Sequence, residues 1–164
     1  MITLYHGSVT AVSNPLTNLG RNDLDFGPGF YMTSLREQAE KWARIKSERH
    51  KNNSPTLNVY ELDDLGLSDT SYRGLRFESY NKEWLDFVAS SRKGKKPWAG
   101  YDFIEGGIAN DSVITTVDLY VDGLITVEQA LDKLINEDLR HQLCILNQSI
   151  IDQYLTFKES IDLS

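Results

Sequence analysis

Asp25-Phe26-Gly27-Pro28-Gly29-Phe30-Tyr31-Met32-Thr33 carries the chain from a polar connection into a short apolar strand, and that change of character decides the kind of fold. Gly27-Pro28-Gly29 is a rigid turn signal, and Phe30 to Thr33 has the aromatic and β-branched content of a strand. Behind it, Ser34 stands where a helix N-cap would. Leu35 to Glu48 follows, with Glu37 at the capping-box position and Ala39, Trp42, Ala43 and Ile45 as an inner stripe. Ahead of it, Ile2 to His6 reads as a first strand, and Ser13-Asn14-Pro15 opens the polar connection that runs to Asp25.

Further along, Leu57 to Leu62 alternates as a strand, and the stretch from Asp63 to Gly74 is expected to be loop or turn. Tyr80 to Ser91 predicts a helix with Trp84, Leu85, Phe87 and Val88 inside, ended by the segment around Gly94. Tyr101 to Glu105 predicts a strand before a Gly106-Gly107 turn. Ser112 to Tyr120 is expected to be helical despite its β-branched content. Thr126 with Gln129 caps a helix over Val127 to Glu137. Two strands, Gln142 to Asn147 and Tyr154 to Lys158, close the chain around a tight connection at Ser149-Ile150-Ile151. The sum is a mixed α+β architecture with several short strands.

The length of 164 residues suits one domain spanning residues 1–164, since single cores form at about 100–200 residues. Apolar residues make up 40% and charged residues 25%, an ordinary globular composition without a low-complexity tract. The formal charge of −7 repels phosphate backbones and argues against broad, non-specific nucleic-acid binding. Against that field, Arg92-Lys93-Gly94-Lys95-Lys96 concentrates positive charge and is read as a solvated loop. The single cysteine, Cys144, lies in an apolar run and reads as a small buried hydrophobe rather than a nucleophile. No segment has the length of a membrane span and the N-terminus lacks a signal-peptide pattern, so the expectation is a cytoplasmic protein without a membrane partner.

His6 follows an apolar and an aromatic residue at a strand end, where a neutral imidazole can hydrogen-bond a ribose hydroxyl without adding charge. Gly7 allows a ligand amide to approach the backbone. Tyr31 offers a planar face for stacking. Gly27-Pro28-Gly29 lacks the spacing of a Rossmann or phosphate-loop fingerprint. Glu105 is an acid at the end of an apolar strand beside two glycines and the first candidate for a functional carboxylate, with Asp25 and Asp111 as weaker candidates that read as turn residues bonding nearby backbone. Arg21 and Arg36 flank the glycine-containing strand and have the fork geometry that suits a pyrophosphate. His6, His50 and His141 have no ligand-like spacing, so no metal is expected.

Tyr5-His6-Gly7-Ser8, Phe26 to Tyr31 and the late strand Gln142 to Asn147 resemble, in order and spacing, the three motifs of the ADP-ribosyltransferase superfamily in its diphtheria-toxin-like His-Tyr-Glu branch. The segments Asp25 to Thr33, Gln38 to Ala43, Tyr101 to Asp111 and Gln142 to Phe157 resemble a family of small bacterial proteins placed in that superfamily, often encoded like a toxin beside a short partner. The resemblance implies a split β-sheet core with flanking helices that grips nicotinamide adenine dinucleotide (NAD). It implies that His6 bonds the adenosine ribose, that Gly7 holds the nicotinamide amide, and that Tyr31 stacks on the nicotinamide ring. It further implies transfer of ADP-ribose to a macromolecule, protein or nucleic acid, and a neutralising antitoxin partner. Gln142 stands where the best-known members carry glutamate. A neutral amide accepts from a ribose hydroxyl but does not stabilise positive charge, so Glu105 is the candidate helper. The alternatives are a catalytically silent NAD-binding or protein-interaction module and an NAD glycohydrolase.

Overall fold

In a computed structural model that describes residues 1–51 and 53–164, the architecture is mixed α+β. Among the described residues the order is β1 (Ile2–Ser8), β2 (Phe30–Met32), α1 (Arg36–Arg49), β3 (Thr56–Leu62), α2 (Leu65–Ser68), β4 (Gly74–Arg76), α3 (Lys82–Arg92), β5 (Phe103–Gly107), α4 (Asp111–Val121), α5 (Val127–Leu134), β6 (His141–Ile145), α6 (Gln148–Tyr154) and β7 (Leu155–Asp162). They build a three-stranded sheet in the order β1-β3-β7 and a four-stranded sheet in the order β2-β6-β5-β4. All pairings are antiparallel except β4 with β5. β1 and β2 are the facing edges of the two sheets, and one reciprocal pair of backbone bonds joins them: Tyr5 N–H to Thr33 O at 2.8 Å and Thr33 N–H to Tyr5 O at 2.9 Å. Past that bridge no further ladder joins the two strands.

The alternation of side chains in β6 and β5 gives the second sheet two unlike faces. One face presents Met32, Leu143, Ile145 and Phe103 to Leu4, Tyr60 and Leu62 of the first sheet, with Ile150 and Ile151 of α6 completing that core. The other presents Ile104 and Cys144 to the helices, where Trp84, Leu85, Val88, Val113, Val117, Ala130 and Leu134 bury against Phe26 and Phe77. Helix α1 covers the outer side of β1. There Gly7 is a packing residue, because a Cβ at this position would fall onto the Ala39 carbonyl oxygen and lie 2.7 Å from the Ala43 nitrogen.

Several local expectations need correction. Ser34 does not cap α1. The Thr33 hydroxyl accepts from the Leu35 N–H at 3.0 Å and donates to the His141 carbonyl at 2.8 Å, so the helix start is pinned to β6. Glu37 turns outward to Arg140 at 3.2 Å instead of closing a capping box. The connection through Ser149-Ile150-Ile151 is helix α6, whose N-cap Asn147 accepts from the Ser149 N–H. Gly106 and Gly107 continue β5 rather than turning it, with Tyr80 and Phe77 packed where their side chains would be. The segment 63–74 holds α2, and β4 begins at its end. The capping box of Thr126 and Gln129 is present at α5. Among the described residues no helix is long and apolar enough to cross a membrane.

Candidate functional site

Where the two sheets part, a cavity of about 550 Å³ opens between the edges of β1 and β2, inside the size range of small-molecule and cofactor sites. His6, Phe30, Tyr31, Trp42, Asp25, Arg92 and Gln142 are among its lining residues, and Leu16, Leu19 and Leu24 of the long β1–β2 connection cover it. The connection is held at several points: Asn58 and Tyr60 of β3 bind the backbone at Thr10 and Val12, Gln148 of α6 binds Pro15 and Thr17, Ser91 of α3 donates to the Leu24 carbonyl, and Trp98 donates to Asn22.

His6 spans the gap between the sheets. Its Nδ1 lies 2.7 Å from the Tyr31 carbonyl and its ring sits 4.4 Å from that of Phe30. A carbonyl only accepts, so Nδ1 carries the proton. Burial, with the Lys46 charge nearby, brings the His6 pKa down to about 4. The ring is therefore neutral at pH 7 and its Nε2 is an acceptor.

Tyr31 is both wall and clip. Its hydroxyl donates to the Gly27 carbonyl at 2.6 Å and accepts from the Phe26 N–H at 3.0 Å, closing the glycine turn upon its own strand. Its ring packs against the helical core and is part of the cavity lining, and its hydroxyl is fully engaged. Phe30 of β2 and Trp42 of α1 are further aromatics in the lining.

Gly7 lies beside the cavity rather than in its lining. Since Tyr5 directs its N–H and C=O to the β2 side, the antiparallel alternation sends those of Gly7 the same way. The Gly7 carbonyl accepts from Lys46 Nζ at 2.9 Å, so a ligand amide would share that oxygen with an ammonium already in place.

Of the two acids, Glu105 lies away from the cavity and Asp25 lines it. Glu105 pairs across the strands with Leu143, which belongs to the face opposite Gln142. It is bound by Arg76 at 2.8 Å and lies 3.6 Å from His141, and the contact with His141, with the Arg76 charge beside it, holds its carboxyl below the usual carboxylate range. It lines no part of the cavity. Asp25 instead reaches inside, with Oδ1 accepting from both Arg92 Nε and Nη2 at 2.8 Å. The Ala109 amide and the Gln142 carboxamide are its other neighbours, and burial pushes its pKa up against the pull of Arg92. Gln142 is 4% exposed and its Nε2 donates to Gly107 O at 3.4 Å.

Neither flanking arginine reaches the cavity. Arg21 is exposed beside Asp23, and Arg36 is tied to Glu40 at 2.9 Å on the outer face of α1. The cavity cations are Arg92 and Lys46. Arg92 thus leaves the solvated segment to which the sequence assigned it, pairing with Asp25 and, through Nη1 at 3.1 Å, with Asp118, while Lys93 to Lys96 remain exposed. Asp111 is paired with Lys41 at the surface. Cys144 is fully buried, its thiol pushed up to about 12 by desolvation, and its Sγ contacts the Phe26 carbonyl.

Arg92 and Trp42 were missed as site residues, and Asp25 was ranked below Glu105. An aspartate in front of a Gly-Pro-Gly turn has the pattern of a turn residue, and a helix-terminal arginine beside three lysines has that of a solvated face. For Trp42 a signal existed, since it was placed on the inner stripe of the helix that follows the glycine turn, and the structure puts it in the cavity lining.

The chain belongs to a family described as proteins of unknown function, DUF3990, whose profile matches residues 2–157. Comparisons with curated proteins and with solved structures found no match.

Proposed function

We propose that the cavity binds NAD as substrate and that the protein cleaves its nicotinamide–ribose bond, transferring ADP-ribose to a macromolecule. In this reading the two sheets form an ADP-ribosyltransferase-like split core. The observation that supports it best is the meeting of His6 and Tyr31 at the parting of β1 and β2, joined by a 2.7 Å contact and lining one cavity together with Gln142. A neutral His6 with a free Nε2 accepts from a ribose hydroxyl, Tyr31 and Trp42 supply planar surfaces for the nicotinamide ring, and Gln142 accepts from the second ribose. The acceptor is a protein or a nucleic acid, and the activity is that of a bacterial toxin held in check by an antitoxin partner.

A silent NAD-binding module is the second reading, favoured by the neutral amide at position 142. Incubation of the purified protein with labelled NAD, alone and with a cell lysate, separates the possibilities. Labelled macromolecule supports transfer, free ADP-ribose alone indicates a glycohydrolase, and saturable binding without turnover indicates the silent module. No binding by calorimetric titration refutes the proposal as a whole.

A further inference from the structure

Cleavage of a nicotinamide–ribose bond builds positive charge on the ribose, and a site that accelerates it needs a fixed negative charge there. Gln142 carries none and Glu105 faces away. Among the described residues, Asp25 is the carboxylate in the cavity lining. Its position is held from three directions. Arg92 grips Oδ1 through two nitrogens at 2.8 Å, the following backbone at Phe26 and Gly27 is closed onto the Tyr31 hydroxyl, and Ser91 next to Arg92 holds the Leu24 carbonyl. The Arg92 charge is shared with Asp118 at 3.1 Å, so the trio Asp25, Arg92 and Asp118 has a formal charge of −1, and Asp25 is the member beside Gln142.

We infer that Asp25 is the catalytic carboxylate of this chain, supplying from the glycine turn the negative charge that position 142 lacks. The inference rests on the NAD-cleaving reading given above. The bond between the ribose anomeric carbon and the nicotinamide nitrogen breaks, its electron pair leaves with the nitrogen, and the pyridinium charge is quenched. The cation left on the ribose faces the Asp25 carboxylate, which stabilises it without becoming covalently attached. The oxygen of the acceptor or of water then bonds to that carbon and releases its proton to solvent. Gln142, within reach of the same carboxylate, orients both Asp25 and the ribose hydroxyl.

The test is nicotinamide release and calorimetric NAD binding by the full chain, with Asp25→Asn, Arg92→Gln, Glu105→Gln and the double variant Asp25→Asn/Gln142→Glu. Asp25→Asn is expected to bind NAD with little change and to release nicotinamide roughly 10²–10³-fold more slowly, the usual loss for one preorganised electrostatic group. Restoring a carboxylate with Gln142→Glu in that background is expected to recover cleavage, and Glu105→Gln to leave it unchanged. Arg92→Gln keeps the carboxylate. It removes one of the holds on Asp25, and is expected to lose thermal stability and to slow nicotinamide release, but by much less than Asp25→Asn. If Asp25 only braces the fold, Asp25→Asn and Arg92→Gln will fall together and the double variant will gain nothing. Wild-type protein that releases nicotinamide at a rate Asp25→Asn leaves unchanged overturns the assignment of Asp25 alone, whereas wild-type protein that binds no NAD, or binds it and releases no nicotinamide, overturns the reading beneath it.

Discussion

Tyr31→Phe removes a single oxygen and separates the clip from the wall. In the folded protein that oxygen satisfies two backbone groups of the glycine turn, the Phe26 N–H at 3.0 Å and the Gly27 carbonyl at 2.6 Å. The first of these belongs to a residue with no exposed surface. A buried polar group left without a partner costs about 1–3 kcal/mol, so two of them, with the carbonyl partly reclaimed by water, come to about 2–3 kcal/mol. At roughly 2–4 °C per kcal/mol for a chain of this size, the melting temperature is expected to fall by about 4–12 °C. Differential scanning calorimetry reads this directly. The aromatic face is retained, so NAD affinity measured well below the transition should change little, whereas Tyr31→Ala loses both stability and the stacking surface. A Tyr31→Phe protein that melts with the wild type would show that the hydroxyl closes nothing and would refute the assignment of the turn to Tyr31.

Three further outcomes follow from the same geometry. Gly7→Ala drives a methyl group into the backbone of α1 at Ala39 and Ala43, and overpacking of this kind is expected to cost about 1–3 kcal/mol, readable as a shift in the urea midpoint; an unshifted midpoint would contradict the close approach. His6 titrates at about 4 in the folded protein against an ordinary 6.5. The unfolded chain therefore binds the extra proton first, and the His6 contribution is complete above about pH 6.5 and lost progressively as the pH falls towards 4. His6→Asn keeps a donor for the Tyr31 carbonyl and should flatten stability over that window, while an unchanged slope would mean that His6 is not the group responsible. Glu105 is held below the carboxylate range, so its contribution is present above about pH 4.5 and fades in acid below it. Glu105→Gln should weaken that acid limb without touching NAD binding, and altered binding would place Glu105 in the cavity after all.

What could be read from residues alone was whatever rests on local periodicity. The strand at Leu57 to Leu62, the Thr126 capping box and the amphipathic helix around Trp84 each declare themselves within a dozen residues. The errors fell where a tertiary partner overrides a local signal. Ser34 has the chemistry of a cap, but no side chain caps α1, and it is the Thr33 hydroxyl that holds the Leu35 N–H while reaching the His141 carbonyl, 108 residues away in sequence. Gly106 and Gly107 carry a turn signal, yet here they make room for Phe77 and Tyr80. In the site, His6, Tyr31 and Gln142 were legible through their motif spacing. Glu105 and Asp25 were not, because which face of β5 looks into the cavity depends on its register with β6, and the direction of Asp25 depends on Arg92, 67 residues further on. Both are properties of pairing rather than of composition.

The lone Tyr5–Thr33 bridge works as an index pin between two rulers. A slide of β1 by two residues along β3 would keep the alternation of side chains, but it would bring a side chain to the place where Gly7 passes the Ala39 carbonyl and carry the imidazole about 7 Å from the Tyr31 carbonyl. The close approach at Gly7 and the pin at Tyr5 and Thr33 therefore select one alignment of the two sheets, and with it the place of the aperture.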